Sequence, residues 1–110
     1  MGSEFGYRFT DRARRDVDEI VSGFVYDLQN PKAASRFVAT LMDRLECLAL
    51  YSKSGESVRN RYLPHGDVRK KPFDHYLLYY LAQMSERVIL VLRVVDARRS
   101  QRAVFENLGA

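Results

Sequence analysis

Apolar residues along this chain fall into two spacings, and the change between them divides it into a helical half and a stranded half. Ala13, Val17, Ile20, Val21, Phe24, Val25 and Leu28 recur at steps of four, three and one. That is one stripe on a helix of about 3.6 residues per turn, and Thr10 or Asp11 is placed to cap it. The opposite face would carry Arg12, Arg15, Asp16, Glu19 and Ser22, with Arg12–Asp16 and Arg15–Glu19 as opposite charges one turn apart. Asn30-Pro31 then predicts a new start, because asparagine caps well and proline in the first turn lacks an N–H that is not needed there. The second helix should bury Ala34, Phe37, Val38, Leu41, Leu45 and Leu48, run to about Tyr51 and stop at Ser52-Lys53-Ser54-Gly55. Joined by so short a turn, the two helices form an antiparallel hairpin.

Strand character brackets this hairpin. Tyr7 and Phe9 alternate with Arg8 and Thr10, which predicts a short first strand. Ser54 to Asp67 lacks a sustained period and holds Gly55, Pro64 and Gly66, so it reads as a loop long enough to suggest a function. Three further strands follow, at Val68–Phe73, Tyr76–Gln83 and Arg87–Val95. Pro72 marks an edge or a strand end, and the connections at Asp74-His75 and Met84-Ser85-Glu86 are tight. Ser100 to Leu108 suggests a short terminal helix with Ala103, Val104 and Leu108 facing inward. The expected fold is therefore α+β: β-α-α-β-β-β, an antiparallel sheet packed on an α-helical hairpin, with a short C-terminal helix.

The later strands are apolar at both parities, in Tyr76-Leu77-Leu78-Tyr79-Tyr80-Leu81-Ala82 and Val88-Ile89-Leu90-Val91-Leu92. A sheet with one wet face should alternate, and a helical hairpin can cover only one face. Either the terminal helix and long loop cover the second face, or a partner segment does, since monomers rarely leave such a patch bare. Tyrosine suits such a surface, having an apolar ring and a polar tip.

Composition narrows the picture only slightly. The chain has 110 residues, with 46% hydrophobic and 29% charged, which fits one globular domain. Met1 to Phe5 reads as a vector-derived scar, leaving 6–110 as a single domain. Arg93 and Asp96 interrupt the longest apolar run well short of a membrane span, and no secretory signal pattern is visible. One cysteine, Cys47, cannot form an internal disulfide, and its slot on an apolar helix predicts an inert buried thiol. The expected compartment is the cytoplasm.

A net charge of +4 favours anionic partners. Arg59, Arg61, Arg69, Lys70 and Lys71 precede the apolar strands, and Arg93, Arg98, Arg99 and Arg102 follow them. Taken singly these read equally well as solvated strand-edge charges. Neither a glycine-rich phosphate loop, nor paired histidines on a helix, nor a cysteine cluster appears, so no metal or cofactor is expected. Nothing places Ser85 or Ser100 beside His65 or His75, and both histidines fall in predicted turns.

The ordered set of segments is recognisable. Tyr7-Arg8-Phe9-Thr10-x-x-Ala13, the helix after Asn30-Pro31, Val68-Arg69-Lys70-Lys71-x-Phe73, Tyr76-x-Leu78-x-Tyr80 and Val88-x-Leu90-x-Leu92-Arg93-Val94 together resemble the RelE/ParE toxin superfamily, nearer its ParE branch. The resemblance spans nearly all of Tyr7 to Arg102. It implies a cytoplasmic toxin of a type II toxin–antitoxin pair, which contributes to plasmid or locus maintenance. A cognate antitoxin would wrap it in a hetero-oligomer and cover the second sheet face at Leu77, Tyr79 and Leu81.

Two activities are implied by the superfamily. ParE-like members bind DNA gyrase and trap it on cleaved DNA without bond chemistry, which would assign target binding to Arg98, Arg99 and Arg102. RelE-like members are metal-independent endonucleases that cut mRNA on the ribosome. Here Arg69, Lys71, Arg93 and Arg98 could supply the cations for that reaction. The terminal acid–base group of that branch has no counterpart, since Asp96 stands where many relatives have histidine and the tail to Ala110 contains neither Tyr nor His. ParE-like gyrase inhibition is the favoured expectation; mRNA cleavage is the alternative, and a degenerate, non-toxic binding protein is a third class.

Overall fold

The computed structural model describes residues 5–58 and 68–98. Strand β1 (Gly6–Phe9) leads into helix α1 (Asp11–Ser22), a π-helical turn (Gly23–Asp27) and helix α2 (Pro31–Leu50). Strands β2 (Glu56–Ser57), β3 (Val68–Phe73), β4 (Tyr76–Gln83) and β5 (Val88–Asp96) complete a five-stranded sheet in the order β1-β5-β4-β3-β2. The helices carry the chain across one face, from the β1 edge to the β2 edge. The β3-β4-β5 meander then walks back until β5 meets β1. That return brings β5 in parallel with β1, while the other neighbours pair antiparallel. The sheet is therefore mixed where an antiparallel one is expected. The order also gains a strand over the expected β-α-α-β-β-β, because Glu56–Ser57, inside the stretch read as a loop, pairs with Lys70 and Arg69 of β3. The terminal helix expected at Ser100–Leu108 lies outside the described residues.

Both caps form where the sequence predicts them. Thr10 Oγ1 accepts from the Ala13 N–H at 3.1 Å, and Asn30 Oδ1 accepts from the Ala33 N–H at 3.1 Å, with Pro31 in the first turn of α2. The first stripe, however, does not run unbroken to Leu28. The α-helix ends at Ser22 and widens into the π turn, closed by the Leu28 N–H on the Gly23 carbonyl at 3.0 Å. One extra residue in a turn rotates everything after it by about 100°. Leu28 consequently lies 67% exposed instead of facing in.

Ala13 of α1 and Phe37, Leu41, Leu45 and Leu48 of α2 pack on Phe73, Leu78, Tyr80, Ile89, Val91 and Val94. Val38, expected in this core, is exposed and rims a groove between the helices with Val21, Ala34 and Ala39. Cys47, expected to be buried, is exposed as well. Both lie at the margin of the α2 stripe, where periodicity alone cannot tell the core side from the rim. Phe5, read as part of a scar, donates its N–H to the Ala49 carbonyl at 2.9 Å and packs against the core.

The second sheet face is not bare. Tyr79 is 1% exposed and clusters with Val58 and Val95, with Val68, Leu77 and Leu92 packed around them. The chain's own residues thus cover the centre of that face.

Candidate functional site

A buried ion pair joins the two halves of the molecule. β1 ends opposite Val91, and among the described residues no strand lies beside the outer edge of β5 beyond that point. α1 takes over there. Thr10 N–H donates to the Val91 carbonyl and Thr10 Oγ1 to that of Leu92; Asp16 Oδ2 accepts from the Val94 N–H at 3.0 Å. Arg93 closes the arrangement with two bonds to the Asp16 carboxylate, Nε to Oδ2 at 2.7 Å and Nη2 to Oδ1 at 3.0 Å. Arg12 approaches Asp16 Oδ1 at 3.9 Å from the same helix. The helical pattern places Asp16 on the solvated face of α1, and the sequence groups Arg93 with the cations that flank the sheet. With only 4% and 1% of their surfaces exposed, they instead form a carboxylate–guanidinium lock in the interior. A charge at the end of an apolar strand signals either a solvated rim or an internal pair, and only the position of its partner distinguishes them.

The other cations of the mRNA-cleaving alternative are also engaged. On β3, Arg69 and Lys71 share the sheet face that packs on the helices, opposite Tyr80 and Leu78. Arg69 Nη1 donates to the Gly55 carbonyl at 2.8 Å and, more weakly, to that of Lys53 at 3.4 Å, while Lys71 Nζ reaches Ser54 Oγ at 3.2 Å. The Tyr80 hydroxyl completes this clamp: it donates to the Ser52 carbonyl at 2.8 Å and accepts from the Gly55 N–H at 3.0 Å. Burial raises the Tyr80 hydroxyl above its ordinary pKa, and Tyr79 is raised for the same reason. Gly55 is required here, since a Cβ would sit 2.7 Å from the Tyr80 hydroxyl and 2.8 Å from the Lys70 carbonyl. Lys70 points to the opposite face and pairs with Glu56 at 3.8 Å.

Arg98 sits at the other end of the sheet. A cleft of about 680 Å³ opens between α1 and the end of β5, lined by Ile20, Phe24 and Leu28 on one side and Tyr76, Val94, Asp96 and Arg98 on the other. The Arg98 side chain is 88% exposed, and Asp96 holds it by a forked pair, Nε to Oδ1 at 3.0 Å and Nη2 to Oδ2 at 2.9 Å. The Arg98 backbone N–H also donates to Asp96 Oδ1 at 2.9 Å. These bonds hold the Asp96 carboxyl well below the usual carboxylate range. The Tyr76 hydroxyl is raised by burial and then by the charges of Asp96 and Asp74. His75 occupies the exposed β3–β4 turn.

The structure thus does not bring Arg69, Lys71, Arg93 and Arg98 to one point. The first two clamp a loop, the third is internal and the fourth lies at the cleft mouth. Arg99 and Arg102, together with Arg59, Arg61 and His65, lie outside the described residues. Of the residues expected to meet an antitoxin, Leu77 and Leu81 are half-buried and Tyr79 is buried. Sequence reasoning missed Asp16 and Tyr80. Asp16 carried a weak signal as the carboxylate nearest the apolar stripe, on the turn after Ala13. Among the described residues, no group of three or more His, Cys, Asp or Glu side chains could hold a metal ion, and no helix is long and apolar enough to cross a membrane.

The fold has solved counterparts. It is similar to the toxin–antitoxin complex RelBE2 from Mycobacterium tuberculosis, at 20% identity and a TM-score of 0.59, covering 84% of this chain and 98% of that one. It is similar to the chromosomal ParDE toxin–antitoxin system from P. aeruginosa, at 18% identity and a TM-score of 0.66, covering 86% and 98%. The isolated E. coli RelE toxin matches at 19% identity and a TM-score of 0.54, covering 90% of each chain. No curated protein sequence matches the chain. The family model described as the ParE toxin of type II toxin-antitoxin system, parDE, matches residues 7–101. With nearly the whole chain matched and the strand–hairpin–meander fold in place, this protein belongs to the ParE toxin family, within the RelE/ParE superfamily of type II toxins.

Proposed function

We propose that this toxin acts in the cytoplasm by binding DNA gyrase and not by cutting RNA, and that a cognate antitoxin neutralises it. The observation that carries this reading is the dispersal of the cations. RNA cleavage needs a base, an acid and several cations around one phosphate. Here Arg93 is internal, Arg69 and Lys71 are tied to the 52–55 loop, and Arg98 stands at the far end of the sheet. A binding toxin needs a surface instead. The exposed Arg98 stands at the mouth of a cleft that Glu19, Asp27 and Asp96 also line, and on this proposal it makes the contact together with Arg99 and Arg102, which follow it in sequence. The antitoxin reading draws on the two solved toxin–antitoxin systems of the same fold. Leu77 and Leu81 are the contact residues on this proposal, with buried Tyr79 supporting them from within.

The test is a gyrase cleavage assay run beside an assay of mRNA cleavage on ribosomes, both with purified toxin. Accumulated gyrase–DNA cleavage complexes with intact transcripts are expected. Transcripts cut within codons, with normal supercoiling at excess toxin, would overturn the proposal. Arg98→Ala combined with Arg99→Ala should reduce gyrase inhibition at least about tenfold, the scale of lost interface arginines, with an unchanged melting temperature. Undiminished inhibition would show that the working surface lies elsewhere.

A further inference from the structure

Arg98 presents the Nε–Nη2 edge of its guanidinium, the edge that grips forked oxyanions such as a carboxylate or a phosphate. That edge is already filled, by Asp96 Oδ1 at 3.0 Å and Oδ2 at 2.9 Å. The carboxylate is held in place independently of the side chain, because Oδ1 also accepts the Arg98 backbone N–H at 2.9 Å. The two N–H groups of Nη1 and one of Nη2 remain; they leave the end of the guanidinium open, but the Nε–Nη2 edge is taken and the charge behind both is already offset by the carboxylate. The pair is local, two residues apart, so it forms without help from packing. With Arg98 88% exposed, it can also open without disturbing the core.

We propose that Asp96 is a built-in competitor for Arg98, a carboxylate occupying the guanidinium edge that an oxyanion of the target would otherwise take. This rests on the reading of Arg98 as a target-contacting residue. The consequence is a toxin whose anion affinity is held down by its own side chain. An oxyanion that takes the Nε–Nη2 edge must replace Asp96, whereas one that binds at the Nη1–Nη2 end meets a cation whose charge Asp96 already offsets. Asp96 remains ionised at any pH of growth, so the competition is constant and is not a pH switch.

The test follows the Arg98 Nε–Hε resonance by NMR while inorganic phosphate is titrated into the full chain. A parallel titration with acetate separates phosphate from carboxylate recognition. Asp96→Asn keeps an oxygen for the Arg98 backbone N–H but removes the charge. It should tighten binding at Arg98 by about threefold to fivefold for at least one of the two anions, the scale of an exposed ion pair. Asp27→Asn changes net charge equally on the same cleft and should leave that affinity within about 1.5-fold of the parent, since screening weakens exposed charges at longer range. Equal affinity in Asp96→Asn and the parent for both anions, or an equal gain from Asp27→Asn, overturns the proposal. Against gyrase, Asp96→Asn should raise potency by a similar factor and lose that gain when combined with Arg98→Ala. A tightened anion titration with no effect of Arg98→Ala on gyrase would retain the competitor role and overturn the target-contact reading instead.

Discussion

Seventy-seven positions separate Asp16 from Arg93, yet their side chains meet at 2.7 Å inside the molecule. Two ionised groups leaving water lose solvation that only close, well-oriented bonds can offset, and here the carboxylate has Arg93 twice and the Val94 N–H once. Removing one charge leaves the other stranded. Asp16→Asn is therefore expected to destabilise the fold by about 3–5 kcal/mol, measured by urea unfolding. A loss under about 1 kcal/mol would mean that water reaches the pair and screens it. At the same scale, the sequence conveyed charge but not location. Asp16 lies nearer the apolar stripe than Glu19 in a helical pattern, but spacing names no partner for it, and it is the gap beside β5, where β1 has ended, that draws Asp16 inward.

Elements were legible wherever one physical signal dominated. Asn30-Pro31 combined a cap with a proline start, and α2 begins there. β3 and β4 fall at Val68–Phe73 and Tyr76–Gln83, bounded by the Asp74-His75 turn, where Asp74 adopts a φ of 50°. Misses occurred where two signals competed. The stripe through Phe24 and Leu28 fits a continuous α-helix by spacing, but the chain must turn back within a few residues, and the π turn absorbs the excess residue. β4 shows the opposite case, since both its faces are apolar and spacing cannot assign them. Leu78 faces the helices and is fully buried. Leu78→Asp should thus bury an unpaired charge and abolish cooperative unfolding, which circular dichroism during a thermal melt would reveal. A melting temperature equal to that of the parent would place Leu78 on the wrong side of the sheet.

At the scale of the molecule, one layer of helices and one sheet leave the second face to be closed by other means, and Tyr79 sits at its centre. Tyr79 and Tyr80, adjacent in sequence, are buried on opposite faces, and burial raises both hydroxyls above their ordinary value of 10.0. For an acid whose folded pKa lies above its unfolded one, the folded state holds the proton longer. The contribution to stability is complete below the unfolded value and is lost as pH rises toward the folded one. The melting temperature should fall as pH passes about 10, with tyrosinate absorbance from these two residues rising together with unfolding. Tyrosinate appearing in full while the protein stays folded would show that the two rings are open to water.

By itself the sequence determined the first strand, the two helices with their caps, the three long strands and the superfamily, but neither the π turn nor β2. Each of these depends on contacts between residues close along the chain, or on an ordered pattern that survives without coordinates. Tertiary structure alone decided that β1 joins β5 in parallel, that Arg93 is internal while Arg98 is exposed, and that Arg69 and Lys71 clamp a loop instead of converging with them. The physical reason is distance along the chain. A charged residue's fate follows from which partner the fold brings within hydrogen-bonding reach, and for Arg93 that partner lies on the far side of the helical hairpin in sequence.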